Sequence, residues 1–169
     1  MIKLQKISNG DLPYVQKYAE DPHVQKSTNL PSPYPSNGAE EWYLRIISSI
    51  ENRKQAVYAI YDKSEFIGVV SLNEIDAVSK QAHLDYWIAY PHWGKGHGTK
   101  AALLAIEEAI NKFGIAVLKS GCLSDNIGSR RVLEKCGFIQ NGIHKYNGPF
   151  KDRYGNKDMY SYTLTLRAQ

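Results

Sequence analysis

The residues best suited to ligand chemistry in this chain form a short turn, which runs from Trp93 to Thr99 and contains Gly94, Gly96 and Gly98. Average usage of roughly 7% predicts well under one glycine in a stretch of that length. Glycine lets the backbone approach a ligand closely and point successive N–H groups towards it. Because a helix is predicted directly after the turn, the same amides form a helix N-terminus, which carries about half a positive charge. The turn therefore predicts a binding site for a phosphate or pyrophosphate.

Hydrophobic spacing defines the elements on both sides of the turn. The alternation of Leu84, Tyr86 and Ile88 predicts a strand before it. After the turn, apolar residues recur at three- and four-residue steps, which is typical of the buried face of a helix. That face is formed by Leu103, Ile106, Ile110 and Phe113. Gly114 is expected to end the helix in the left-handed conformation, and a second strand is expected from residue 116.

The spacing of the glycines excludes two common phosphate-binding motifs. A dinucleotide fingerprint requires G-x-G-x-x-G, whereas the turn has G-x-G-x-G, and no part of the chain supplies the Walker A pattern. The turn instead resembles the acyl-CoA loop of the GNAT N-acetyltransferase superfamily, written R/Q-x-x-G-x-G/A. Gly96 and Gly98 match its glycine positions. Trp93 replaces the usual Arg or Gln, as is common in the branch that acetylates ribosomal-protein N-termini.

A second segment, residues 123–138, resembles the N-x-x-S-x-x-x-L-E-K-x-G-F signature of the same branch. Asn126, Ser129, Leu133 and Gly137 occupy its defining positions. The two motifs lie in the order and at the distance that the family uses. The resemblance extends over roughly the whole chain and is most specific for residues 81–138.

The resemblance implies the GNAT fold, an α/β (α+β) class with a mixed central sheet of about seven strands and about four helices. It also implies that the sheet is splayed between its fourth and fifth strands. We expect residues 1–169 to form a single domain. Asp11 is predicted to cap a helix that ends near Ala19, and the four prolines of residues 20–38 predict irregular structure there. In the family this irregular region forms the wall on the acceptor side.

Composition and charge are those of an ordinary globular protein. Hydrophobic residues make up 43% and charged residues 22%, and the net charge of +4 is spread along the chain. Such a charge suits an anionic cofactor, whereas a nucleic-acid partner usually requires a concentrated basic patch. The first residues contain no signal-peptide pattern, no run is long enough for a membrane span, and Cys122 and Cys136 are expected as buried thiols. These features predict a cytoplasmic protein without a nucleic-acid or membrane partner, and they leave a homodimer open.

The resemblance assigns cofactor binding to the turn, the end of the preceding strand and the second motif. The assigned residues are Ile88, Tyr90, Trp93, Gly94, Lys95, Gly96, His97, Gly98, Thr99, Asn126 and Ser129. Main-chain amides of the turn hold the diphosphate, and an N–H near Ile88 polarises the thioester carbonyl. Asn126 is placed beside the pantetheine arm and Ser129 near the sulfur. Either residue could equally act only as a cap of the helix that begins there.

No single general base follows from the sequence. Glu74, His83 and Asp85 lie on or beside strands that the family places near the acceptor, and each could equally be a solvated surface residue. Deprotonating a lysine at pH 7 costs about 4.6 kcal/mol, whereas an α-amine costs roughly 1.4 kcal/mol. A chain without an obvious strong base therefore favours a peptide N-terminus or a small-molecule amine as acceptor, with water carrying the proton away.

The predicted function is an acetyl-CoA-dependent N-acetyltransferase that moves an acetyl group to a primary amine by direct attack in a ternary complex. Tyr34, Trp42 and Tyr43 are candidates for the acceptor pocket. His92 and His97 have no further ligands at metal-binding spacing, so no metal is expected. Two alternatives stay open, a non-catalytic acyl-CoA-binding module and a basic nucleic-acid-binding domain whose turn grips backbone phosphate.

Overall fold

The computed structural model describes residues 1–166, which build one seven-stranded sheet in the order β1-β2-β3-β4-β5-β7-β6. The strands are β1 (Ile2–Lys6), β2 (Ala56–Asp62), β3 (Glu65–Asp76), β4 (Gln81–Ile88), β5 (Val117–Leu123), β6 (Ile139–Lys145) and β7 (Asp158–Thr165). The helices are α1 (Leu12–Ala19), α2 (Pro22–Gln25), α3 (Gly38–Glu51), α4 (His97–Phe113), α5 (Ile127–Lys135) and α6 (Lys151–Tyr154). Short 3₁₀ helices lie at Asn9–Asp11 and Tyr90–His92.

The sheet is mixed because β4 and β5 are parallel, whereas the other neighbouring strands are antiparallel. The parallel pairing covers only three positions, from Gln81–Val117 to His83–Lys119. Both strands continue beyond that point, β4 to Ile88 and β5 to Leu123, without further pairing to each other. The predicted splay between the fourth and fifth strands is thereby confirmed.

The helices cover both faces of the sheet and bury two separate cores. One core lies between the sheet and α4, with Ile60, Leu84 and Leu118 fully buried. The other lies under α1 and α3, where Val15 and Ile46 pack against strands β2 and β3. Because side chains alternate between the faces of a strand, neighbouring residues of β4 belong to different cores.

The buried face of α4 differs from the predicted one at Leu103, whereas Ile106, Ile110 and Phe113 pack in the core as predicted. Leu103 is 45% exposed, whereas the face towards the sheet consists mainly of alanines. Those residues are Ala101, Ala102, Ala105, Ile106 and Ala109. Small side chains let the helix approach the sheet closely. The alanines therefore face the sheet, where Leu103 was predicted to lie. The predicted end of the helix is confirmed, because Gly114 follows it with a φ of 62°.

Two other local predictions need correction. Asp11 lies at the start of α1, but its carboxylate accepts hydrogen bonds from Ser8 and Tyr61 instead of capping that helix. Residues 20–38 are not wholly irregular, because α2 forms there. Asp21 accepts the His23 N–H at 2.9 Å, and Pro22 at the first helical position has the φ that a helix needs.

Both cysteines of the described part are free, with Cys122 buried and Cys136 half-buried. None of the helices in residues 1–166 has the length and apolar character needed to cross a membrane.

Candidate active site

A cavity of about 870 Å³ occupies the gap where β4 and β5 separate. Its lining comes from both faces of the sheet. On the α4 side lie the glycine turn and the start of α5, including Gly96 and Ser129, whereas Val15 and Trp42 line it on the α1 and α3 side. The splay therefore connects two sides of the sheet through one continuous space.

The turn has the geometry that phosphate binding requires. Gly94 and Gly96 have φ values of 74° and 78°, in the left-handed region that favours glycine. Gly96 is the N-cap of α4, which is 17 residues long, so the N-terminal amides of a long helix face the turn. The Trp93 indole N–H donates to the Ile88 carbonyl at 2.7 Å and ties the turn to the end of β4. The Trp93 side chain thus stabilises the turn by its bond to a main-chain carbonyl of β4.

The Ile88 N–H is directed towards the splay. The next amide, that of Ala89, donates to the Ile67 carbonyl on β3 at 2.8 Å. Successive amides of a strand point to opposite sides, so the Ile88 amide points to the β5 side, where strand pairing has ended. This orientation matches the predicted role of that amide as a donor to a carbonyl oxygen.

A buried serine marks the point where the two strands part. Ser120 is 6% exposed, and its hydroxyl donates to the Leu84 carbonyl at 2.8 Å. The hydroxyl bond takes the place of a main-chain bond one residue beyond the last paired position, His83–Lys119. Ser120 was not predicted from the sequence, because a serine within a strand carries no positional signal.

The start of α5 and strand β4 together bring a pair of hydroxyl groups to the cavity. Asn126 caps the helix, because its Oδ1 accepts the Ser129 N–H at 3.1 Å. The Ser129 hydroxyl lies 2.9 Å from the Tyr86 hydroxyl, and both side chains line the cavity. Burial raises the pKa of Tyr86, so the phenol stays protonated and able to donate. Burial also raises the pKa of the neighbouring Cys122 thiol to about 11.

The three candidate bases occupy different environments. Asp85 lines the cavity, accepts a hydrogen bond from Asn73 Nδ2 at 2.7 Å, and lies 3.4 Å from His83 Nε2. The hydrogen bond with Asp85 raises the pKa of His83. Glu74 is exposed at an irregular position of β3, with a φ of 50°, and lies outside the described lining of the cavity. Asp85 is therefore the candidate that the fold brings to the site.

Some of the remaining predicted residues line the cavity, and others lie away from it. Tyr34 and Trp42 line the cavity, whereas Tyr43 and Lys95 are not among its described lining residues. Tyr90 lies beyond the end of β4, in a 3₁₀ helix, and its ring stacks on His23 with centroids 3.8 Å apart. The placement of Tyr90 on the strand edge is therefore wrong, because the chain turns after Ile88.

His97 lies at the first turn of α4 and lines the cavity. Its Nε2 lies 3.9 Å from Asp62, and its Nδ1 is buried without a hydrogen-bond partner among the described residues. Burial lowers the pKa of His97. A neutral imidazole with one unpaired nitrogen thus stands beside the glycine turn.

Two cations that the sequence analysis did not single out also line the cavity. Arg131 and Lys135 lie one turn apart on α5. Their spacing of four residues places them on one face of the helix, and this was the available sequence signal. They add positive charge to the lining of the cavity.

The Acetyltransferase (GNAT) domain family profile matches residues 2–139. The chain belongs to the GNAT family. A ribosomal-protein-serine acetyltransferase of Escherichia coli (strain K12) is 29% identical over 105 residues, which are 62% of this chain and 59% of that relative. A probable N-acetyltransferase of Bacillus subtilis (strain 168) is 34% identical over 61% of each chain. The chain thus aligns with about three-fifths of the length of these curated relatives.

Solved structures share the GNAT fold along nearly the whole chain. The RimL ribosomal L7/L12 alpha-N-protein acetyltransferase, in complex with coenzyme A, has a TM-score of 0.89 at 19% identity and covers 99% of this chain and 96% of its own. A Vibrio cholerae spermidine N-acetyltransferase, in complex with CoA and spermine, has a TM-score of 0.82 at 19% identity, with 97% and 95% covered. The predicted family and fold are thereby confirmed.

The residues of this GNAT site fit a CoA carrier. The left-handed glycines and the N-terminus of α4 suit a diphosphate, and Arg131 and Lys135 suit further phosphate charge. The buried, unpaired Nδ1 of His97 is a polar atom that a ligand at the turn could satisfy. The open space between β4 and β5 has room for the arm that carries the acyl group.

Proposed function

We propose that this GNAT protein is an acetyl-CoA-dependent N-acetyltransferase, in which a primary amine attacks the thioester directly in a ternary complex. One observation carries the proposal. A phosphate cradle, an amide donor and a carboxylate, contributed by Gly96, Ile88 and Asp85, meet at one cavity that passes through the splayed sheet. Acetyl-CoA supplies the activated acyl group when it is bound.

In this proposal, the carrier binds on the α4 side of the sheet and the acceptor on the α1 and α3 side. On the α4 side, the turn holds the diphosphate and the Ile88 N–H stabilises negative charge on the carbonyl oxygen. The Ser129 hydroxyl, held at 2.9 Å by Tyr86, donates to the departing sulfur. A thiol has a pKa near 8.5, so its departure requires only modest assistance of this kind.

On the α1 and α3 side, Asp85 receives the acceptor. Its neighbours Asn73 and His83 fix the carboxylate from two directions, at 2.7 Å and 3.4 Å. Asp85 is half-exposed, so water reaches it and carries the proton away. The proposal therefore places Asp85, and not Glu74, at the amine.

The charge of the cavity favours an acceptor with one positive charge. Asp85 is the one carboxylate among the described lining residues, and the other groups on its side are amides, hydroxyls, aromatic rings and aliphatic side chains. A polyamine carries several ammonium groups, each of which needs an acceptor of its own when it leaves water. A polypeptide N-terminus carries a single ammonium, and its α-amine also loses its proton more readily. We therefore propose a polypeptide N-terminus as the acceptor class.

A thiol-release assay with a panel of acceptors tests the proposed function. Peptides with free N-termini should react with acetyl-CoA at least tenfold more efficiently than spermidine, and Nα-blocked peptides should not react. Isothermal titration with acetyl-CoA separates the alternative: binding without turnover on any amine would identify a non-catalytic acyl-CoA-binding module. Preference for spermidine would contradict the choice of acceptor class alone.

A further inference from the structure

The acceptor side of the cavity is bordered by a segment with little structure of its own. Residues 27–30 all line the cavity, yet they belong to no helix or strand. Such a segment exposes carbonyl groups that require partners. Its position must therefore be fixed by contacts from elsewhere in the chain.

Those contacts come from the segment between β6 and β7, which includes α6 and lies more than a hundred residues away. Arg153 donates from Nη1 to the Gln25 carbonyl at 2.9 Å and from Nη2 to the Leu30 carbonyl. The Tyr154 hydroxyl donates to the Gln25 carbonyl at 2.6 Å, and the Tyr146 hydroxyl donates to Asn29 Oδ1 at 2.8 Å. We call this set, Tyr146, Arg153 and Tyr154 on residues 25–30, the clasp.

The clasp is well packed as well as hydrogen-bonded. Tyr146 and Tyr154 are 7% and 4% exposed and form a small core of their own with Leu123. The Arg153 guanidinium lies over the rings of Phe150 and Tyr154, 4.4 Å and 5.0 Å from their centroids. Stacking on both rings holds the planar guanidinium in the orientation in which its two terminal nitrogens reach two carbonyls at once.

We propose that Arg153 is a positioning residue for the acceptor, which it serves by holding residues 27–30 in place through the clasp. This inference rests on the proposed function. Arg153 contacts residues 25 and 30 and has no hydrogen bond to the turn among the described residues, so its loss should affect the acceptor and not the carrier. Lysine has a single ammonium group instead of a guanidinium with two terminal nitrogens, so Arg153→Lys should hold residues 27–30 in place only in part.

Arg53 provides a matched control. It also donates to a main-chain carbonyl, that of Lys112 at 2.7 Å, and lies over an aromatic ring, that of Phe113 at 4.7 Å. It lies outside the described lining of the active-site cavity. Arg53→Gln therefore removes the same kinds of contact without touching the acceptor wall.

Steady-state kinetics of Arg153→Gln, Arg153→Lys and Arg53→Gln, combined with titration of acetyl-CoA, test the proposal. In Arg153→Gln the KM for a peptide acceptor should rise about tenfold, the loss expected when a charge-assisted hydrogen bond is removed. Arg153→Lys should be intermediate, and kcat and the acetyl-CoA Kd should stay within twofold. Arg53→Gln should leave all three constants unchanged. Hydrogen exchange of residues 27–30, but not of 93–99, should accelerate in Arg153→Gln.

An unchanged acceptor KM in folded Arg153→Gln would overturn the inference, as would a parallel loss of acetyl-CoA affinity. If Arg153→Gln does not fold, Tyr146→Phe removes the clasp bond to Asn29, together with the bond that the Tyr146 hydroxyl accepts from the Phe150 N–H. It should raise the same KM by a smaller factor, and an unchanged KM there would equally overturn the inference. Wild-type protein that binds no acetyl-CoA, or acetylates no amine, would instead contradict the proposed function.

Discussion

At the scale of single residues, the most informative feature is a hydroxyl pair that the motif alone only half predicts. Ser129 belongs to the recognised motif, but its partner Tyr86 was interpreted as an ordinary residue of the sheet. The 2.9 Å contact and the burial of the phenol change that interpretation. Asn126 takes the helix-capping bond, so the Ser129 hydroxyl is available for the cavity.

Tyr86→Phe and Ser129→Ala should therefore lower turnover more than acetyl-CoA affinity. We expect kcat to fall about tenfold or more in Ser129→Ala and about fivefold in Tyr86→Phe, because a neutral hydrogen bond contributes about 1 kcal/mol. The double variant should resemble Ser129→Ala, since Tyr86 acts through that hydroxyl. Tyr58→Phe is the control, because Tyr58 belongs to the same core but its hydroxyl donates to Glu108, outside the described cavity lining. Equal losses of kcat in Tyr58→Phe and Tyr86→Phe would refute the pairing.

His97 gives a second residue-scale prediction, on pH. Burial lowers its pKa, and the nearby charges of His92, Lys95 and Lys100 act in the same direction, whereas Asp62 opposes them. In the unfolded chain the His97 imidazole takes up a proton near pH 6.5, whereas in the folded protein it does so only at lower pH. Stability should fall as pH decreases through that value and stay level above it.

Urea unfolding at pH 5.5 and pH 8 of wild type and His97→Gln measures this effect. The wild type should lose more of its free energy of unfolding between the two values than the variant does. Subtracting the change in the variant from the change in wild type removes the contribution of the titrating groups that the two proteins share. A variant with the same pH dependence as wild type would show that His97 is not the group responsible.

At the scale of elements, α4 has a left-handed glycine at each end. Gly96 precedes it with a φ of 78° and Gly114 follows it with a φ of 62°, and a Cβ at either would meet open space. The two positions therefore pose the same conformational requirement. They differ in place, since a 17-residue helix separates them by about 25 Å.

This symmetry allows backbone strain to be separated from binding. Gly96→Asp and Gly114→Asp should each lower the free energy of unfolding by about 1 kcal/mol, the cost of a left-handed residue. Only Gly96→Asp should weaken acetyl-CoA binding, by more than tenfold, because its carboxylate lies where the diphosphate is proposed to bind. Titration calorimetry and urea unfolding of both variants provide the measurement. Equal acetyl-CoA affinity in the two variants would remove the turn from the site.

The elements also show how far sequence reasoning extends. The turn, α4, the splay and the start of α5 were predicted because glycine spacing, helical periodicity and a resemblance act over short ranges of sequence. Leu103 was misplaced because periodicity favours large apolar residues, whereas close packing on the sheet selected alanines. Ser120 and Arg153 carried no signal, since their partners Leu84 and Gln25 are found only by folding. Contacts between distant parts of the chain are what the sequence left out.

At the scale of the whole molecule, the cavity joins parts that are far apart in the chain. The turn and α5 form one wall, and residues 27–30, held by the loop before β7, form the other. Neither wall exists in the unfolded chain, so a ligand that binds between them stabilises the folded protein by linkage. Free acetyl-CoA at a hundred times its Kd should add about 2.7 kcal/mol of stability.

For a chain of this length that stabilisation corresponds to a rise in melting temperature of roughly 5 to 10 °C. At the same acetyl-CoA concentration the rise should persist in Arg153→Gln, because the clasp belongs to the acceptor wall. In Gly96→Asp it should fall to about half or less, because a Kd more than tenfold higher leaves about 1.4 kcal/mol or less of stabilisation. Thermal unfolding of the three proteins with and without acetyl-CoA decides between these roles, with Gly114→Asp as the control for strain. Loss of the shift in Arg153→Gln would mean that the two walls bind the carrier together, and an undiminished shift in Gly96→Asp would place the carrier elsewhere.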